Sequence, residues 1–173
     1  MPRSKRIVQH PILFLDLDGV LNGLDRDRRA SIHPECVEHF NRLLDVSRAQ
    51  VVISSTWRGM VETGAMNFEG FGLLLSTHGI RSCEVIGVTP GDDVVERRGA
   101  QIDHWCKKNA VTRYVVLDDM DDGITQYRHP FVRTNGSIGM TGENVDQALS
   151  LLESQMVKVA NSSRSQARPK SNV

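Results

Sequence analysis

The chain has 173 residues, 39% of them hydrophobic, which suits one globular domain with a real core. Lys+Arg 21 balances Asp+Glu 21, so no global charge points to nucleic acid or an anionic membrane as partner. No apolar stretch approaches transmembrane length, and three scattered cysteines (Cys36, Cys83, Cys106) without a CxxC pair make neither a disulfide framework nor a zinc site.

Residues 1–9 read as a basic lead-in with Arg3, Lys5 and Arg6. It lacks the apolar region of a signal peptide, so a cytoplasmic location is the expectation. Ile12 to Leu15 is an unbroken apolar run that closes in Asp16-Leu17-Asp18-Gly19. Such a run reads as a strand buried on both faces of a parallel sheet. In open α/β sheets the ligand crevice lies at the carboxyl ends of the strands, where Asp16 and Asp18 fall. Gly19 permits the turn that lets two nearby carboxylates converge on one cation. Gly23 to Ser31 is highly charged, with Arg26, Arg28 and Arg29, and reads as an exposed loop.

A helix starts near Pro34, with Ser31 or His33 as cap and the proline in its first turn. Val37, Phe40, Leu43 and Leu44 give it an apolar face. Gln50 to Ile53 is a second buried strand, ending in Ser54-Ser55-Thr56 and then Trp57-Arg58. From Met60 to His78 a helical pattern is interrupted by Gly64, Gly70 and Gly72, which predicts one broken helix or two short ones. Glu84 to Val88 is a short strand, followed by a loop from Thr89 to Asp93. Arg97 or Arg98 opens a helix carrying Ile102, Trp105 and Cys106. Tyr114 to Leu117 is the third clear strand, ending in Asp118-Asp119-Met120-Asp121-Asp122-Gly123. Phe131-Val132 makes a last strand. Gly142-Glu143 leads into a closing helix with Val145, Ala148, Leu149, Leu152 and Met156 on one face. The domain therefore spans residues 10–158, and 159–173 read as a disordered tail.

Strands alternating with helices imply right-handed crossovers and a three-layer α/β/α, Rossmann-like parallel sheet. All three clear strands end in acids or hydroxyls. One crevice would receive Asp16, Asp18, Ser54 to Thr56, a cationic Arg97 or Arg98, and Asp118 with Asp119. Crowded carboxylates are costly unless a cation neutralises them. An oxygen-only donor set favours Mg²⁺. A hydroxyl and an arginine beside it suit a phosphoryl group.

The order of these motifs resembles the haloacid dehalogenase (HAD) superfamily of phosphohydrolases. With Ser55-Thr56-Trp57-Arg58, Val88-Thr89-Pro90, Leu117-Asp118-Asp119 and Gly139-Met140-Thr141, the chain is most similar to the HAD domain of Swiss-army-knife RNA repair proteins. The resemblance implies Asp16 as nucleophile, forming an aspartyl-phosphate, and Asp18 as general acid and then base. It implies Mg²⁺ held by the Asp16 side chain, the Asp18 carbonyl and an acid of the fourth motif. Asp119 is the better match for that acid, with Asp118 in support and Asp122 as an outer candidate. Ser54 matches the hydroxyl that binds a phosphoryl oxygen, and Arg98, ahead of Arg97, matches the charge-stabilising cation. Ser55, Trp57 and Arg58 are candidates for touching substrate. The short spacing between motifs leaves a minimal cap or none.

The expected partner is therefore a phosphorylated substrate, either a small molecule or a polynucleotide end, with no membrane and no obligate protein partner. Arg26, Arg28, Arg29 and Arg58 would supply contacts to a polynucleotide backbone. Two alternatives remain: a degenerate module that binds phosphate without catalysis, and a receiver-like phosphoacceptor domain. His33, His39, His78, His104 and His129 show no metal-ligand spacing, and Trp57 and Trp105 read as core residues.

Overall fold

A computed structural model describes residues 10–23, 32–91 and 95–166, with side chains as far as residue 157. The expected lead-in, most of the charged loop, Asp92, Asp93 and the last residues of the expected tail lie outside these. Five strands, β1 (Ile12–Leu15), β2 (Gln50–Ile53), β3 (Val85–Val88), β4 (Tyr114–Asp118) and β5 (Phe131–Arg133), pair in parallel in the order β3-β2-β1-β4-β5. The first strand is thus central, and Ile12 to Leu15 are all buried. Receiver domains follow the order 2-1-3-4-5, so this topology removes the receiver-like alternative.

Side chains alternate along each strand, and two cores result. Leu13, Leu15, Val51, Ile53, Val115 and Leu117 face one way. They pack against α1 (Pro34–Ser47), α3 (Phe68–Thr77) and α5 (Gly142–Gln166) through residues such as Phe40, Phe71, Val145 and Leu152. Ile12, Phe14, Val52 and Val116 face the other way, onto Ile102 and Cys106 of α4 (Arg98–Asn109). Trp105 of α4 meets Phe14 edge to face at 5.5 Å and lies 3.3 Å from where a Cβ on Gly87 would stand. The architecture is α/β with three layers, as the alternation of elements predicts.

Pro34 opens α1, and the residue at its cap position is His33, whose side chain makes no cap hydrogen bond. Its Nδ1 accepts instead from the Gly23 amide at 3.3 Å. Ser31, the other cap candidate, lies outside the described residues. The interrupted pattern after β2 resolves into a 3-10 turn (Thr56–Arg58), α2 (Gly59–Glu62) and α3. Among the described residues nothing between β2 and β3 forms a further sheet or domain.

The closing helix differs from expectation in two ways. Its backbone continues to Gln166, past the boundary drawn at 158. Met156, expected on the buried face, is 53% exposed, whereas Val145, Ala148 and Leu152 are buried. Gln155, one position earlier, takes the sheet side instead, bonding the Tyr114 backbone amide at 3.0 Å and carbonyl at 2.8 Å.

On the α4 side, buried His129 donates from Nε2 to the Gly99 carbonyl at 2.7 Å, and its Nδ1 meets the Tyr114 hydroxyl at 2.8 Å. Burial lowers its pKa, which the Gly99 contact only partly offsets. As pH falls below about 6.5 the unfolded chain takes up this proton first, so acid weakens the fold at this residue. The stability advantage of the parent over His129→Gln should therefore shrink between pH 7 and pH 5. A constant difference in denaturant melts would contradict it.

Candidate active site

The site forms where β1 and β4 end. The Asp16 amide donates to the Leu117 carbonyl at 3.0 Å, carrying the ladder one residue past the strand. Its carboxylate Oδ1 accepts from the Leu17 amide at 2.9 Å. The chain then turns at Gly19, whose φ of +76° suits glycine. The turn is closed by Asn22, whose Oδ1 accepts from the Gly19 amide at 2.8 Å, and by Thr134, whose hydroxyl donates to the Gly19 carbonyl at 2.7 Å. Asp18 is held by two N–H donors, Nδ2 of Asn22 and Nε1 of Trp57, each at 3.0 Å.

Arg98 is the first residue of α4, and Arg97 is the extended cap before it. The Arg98 guanidinium donates from Nη1 to Asp16 Oδ2 at 2.8 Å and to Asp118 Oδ2 at 2.5 Å. Arg97 instead packs along Gly123. Of the two adjacent arginines, the structure brings Arg98 to the carboxylates. Asp122 fixes the start of this helix, accepting the Arg98 amide on its side chain at 3.0 Å and the Gly99 amide on its carbonyl at 2.9 Å. It thereby seats the helix that carries Arg98. Gly99 allows the approach, since a Cβ there would overlap the Gly123 carbonyl.

Asp118 is fully buried, and its other oxygen accepts from the Met120 amide at 2.9 Å. Burial pushes its carboxyl up to about 6, with Arg98 opposing the rise and Asp16 adding to it. Asp119 is raised by burial and then by Asp16. Burial disfavours the Arg98 charge, but the two carboxylates outweigh that and raise its pKa. The Asp119 side chain is wedged between two glycines: a Cβ on Gly19 would stand 2.5 Å from its Cγ, and one on Gly136 would overlap its Oδ2.

One oxygen each from Asp16, Asp118 and Asp119 lie within 4.8 Å of one another. A single arginine cannot neutralise three such carboxylates, and the donors are all oxygens, so the cluster fits a hard divalent cation. The Asp18 carboxylate stands apart from this trio, on Asn22 and Trp57.

Ser54, one residue past β2, is fully buried, and its hydroxyl has no hydrogen-bond partner among the described residues. Ser55 caps the 3-10 turn by accepting the Trp57 amide at 3.3 Å. Arg58 is only 5% exposed and reaches the carbonyls of Ser54 and Ser55 at 3.4 Å. Ser55 and Arg58 thus build the loop that carries Ser54. Arg58, expected to contact a polynucleotide backbone, is buried, and Arg26, Arg28 and Arg29 lie outside the described residues. Sequence reasoning missed Trp57 and Asn22 as the holders of Asp18, and also Thr134. Asn22 closes the first motif and carried a usable signal. The other two contacts join residues 39 and 115 positions apart, across several elements of the fold.

A family model described as the HAD domain in Swiss Army Knife RNA repair proteins matches residues 12–145. No curated protein matches the chain. No helix among the described residues is long and apolar enough to cross a membrane.

Proposed function

The chain belongs to the family of HAD domains in Swiss Army Knife RNA repair proteins, and from that premise we propose that it is a Mg²⁺-dependent phosphomonoesterase acting through an aspartyl-phosphate on Asp16. The observation that carries this reading is one constellation. Asp16 stands within reach of Arg98 on one side, inside a trio of carboxylates, one strand from an unpartnered buried serine hydroxyl.

Asp16 Oδ2 attacks phosphorus while its other oxygen stays on the Leu17 amide, which fixes the direction of approach. The bond from phosphorus to the ester oxygen breaks, and Asp18 gives that oxygen its proton. In the second step Asp18 takes a proton from water as the water oxygen attacks phosphorus. The bond to Asp16 breaks, and phosphate leaves. Trp57 and Asn22 hold Asp18 through both steps. The Ser54 hydroxyl donates to a phosphoryl oxygen, and Arg98 stabilises the charge that builds there. The carboxylates of Asp16, Asp118 and Asp119, with the Asp18 backbone carbonyl, would hold Mg²⁺, which, when bound, neutralises the cluster and polarises the phosphoryl group.

The substrate class we infer is a phosphomonoester on a nucleotide or a nucleic-acid end. Among the described residues no added domain stands between β2 and β3, which supports a large substrate. The family description points to RNA repair. The test is turnover of p-nitrophenyl phosphate and of 5′- and 3′-phosphorylated oligonucleotides with Mg²⁺. Excess EDTA should abolish it, and Ca²⁺, larger and differently coordinated, should inhibit it. Full activity in EDTA would sink the reading.

A further inference from the structure

Leu15 is the register partner of both Ile53 and Leu117, and Ile53 is in turn the partner of Val88. One residue further along these four strands stand Asp16, Ser54, Asp118 and Thr89. Leu15, Ile53 and Leu117 point into the core under α1 and α5. Alternation therefore turns the next residues to the opposite face, the side from which α4 delivers Arg98. The result is one row of polar side chains across β3-β2-β1-β4: Thr89, Ser54, Asp16 and Asp118, with exposures of 0%, 0%, 6% and 0%.

Within the row, Arg98 satisfies Asp16 and Asp118. The hydroxyls of Ser54 and Thr89 have no hydrogen-bond partner among the described residues. The Thr89 backbone is pinned by its amide to the Ile53 carbonyl at 3.0 Å, and Pro90 restricts it further. A buried hydroxyl without a partner is unfavourable, and here two stand side by side on neighbouring strands. Such strands lie about 4.8 Å apart, so both hydroxyls can reach one oxygen placed between them.

We propose that Thr89 is a second substrate-binding hydroxyl, donating together with Ser54 to the same non-bridging oxygen of the phosphoryl group. This rests on the phosphomonoesterase reading and adds to it a residue from β3, one strand beyond the first, second and fourth strands that carry the expected motifs. A charged oxygen accepting two hydroxyls gains more from each than a neutral acceptor would.

The experiment compares the parent with Thr89→Val and Thr89→Ser. Three quantities are read: orthophosphate binding in Mg²⁺ by calorimetry, steady-state turnover of p-nitrophenyl phosphate, and melting without ligand. Valine keeps the shape and removes the hydroxyl. It should weaken orthophosphate binding and raise KM by roughly ten-fold or more, while the ligand-free protein melts at or above the parent. Serine should restore binding to near the parent value. If the parent binds orthophosphate and turns over but Thr89→Val matches it, the Thr89 assignment is wrong and the phosphomonoesterase reading stands. If Thr89→Val melts well below the parent with phosphate binding unchanged, the hydroxyl serves the fold and the assignment is equally wrong. A parent that neither binds orthophosphate nor turns over overturns the reading itself, and this assignment with it.

Discussion

Asp16→Asn should lower phosphomonoester turnover by several orders of magnitude while leaving the metal-free protein as stable as the parent or slightly more so. The substitution keeps the shape of the side chain but removes the attacking carboxylate, and loss of a covalent step has effects on that scale. Its effect on stability has the opposite sign from an ordinary loss of a buried ion pair. Arg98 keeps its second partner, Asp118, at 2.5 Å. The negative charge that helps raise Asp118 and Asp119 is gone, and crowded like charges are costly. The paired measurement is steady-state turnover in Mg²⁺ and thermal melting in EDTA. Turnover near the parent's, or melting far below it without metal, would make Asp16 a structural acid.

Arg98→Met should be the most destabilising single change in the site. It leaves Asp16 and Asp118 facing each other beneath α4 without their shared cation, and breaking a buried pair by removing one partner costs about 3–5 kcal/mol. Melting in EDTA should fall by several degrees, and added Mg²⁺ should recover part of the loss by supplying positive charge to the same cluster. Turnover should fall by roughly 100-fold or more, since a donor aimed at developing charge is lost. Arg98→Lys should lie between, because an ammonium restores the charge but not the planar fork that spans two carboxylates. Equal melting of Arg98→Met and the parent in EDTA would contradict the role given to this residue.

Much of the fold was legible because the buried strands are unbroken apolar runs. Ile12–Leu15, Val51–Ile53 and Val115–Leu117 read as strands covered on both faces, and their polar ends pointed to one crevice. Local pattern could not choose between Arg97 and Arg98. The choice depends on where the helix begins, and that is set by Asp122, a residue 24 positions away that caps α4. The acidic run after β4 looked uniform in sequence but divides in three. Asp118 and Asp119 join the site, Asp121 bonds Thr125 in the following turn, and Asp122 holds the helix. Trp57 read as core, and it does pack against the core, yet its indole N–H also reaches Asp18 across 39 positions. Arg58 read as a substrate contact and is buried against carbonyls of its own loop. Each of these depends on tertiary contacts that leave no periodicity in the chain.

The central claim is that phosphate passes through Asp16. The measurement that tests it most directly is a single turnover of a ³²P-labelled phosphomonoester in Mg²⁺, quenched in acid, with the labelled peptide mapped. The account predicts label on the peptide carrying Asp16, released by hydroxylamine as an acyl phosphate should be, and absent from Asp16→Asn. It also predicts more label in Asp18→Asn with a good leaving group, since the phosphoenzyme forms there but its hydrolysis stalls. Turnover that leaves no label on Asp16 in the parent or in Asp18→Asn, or label on another residue, would contradict it.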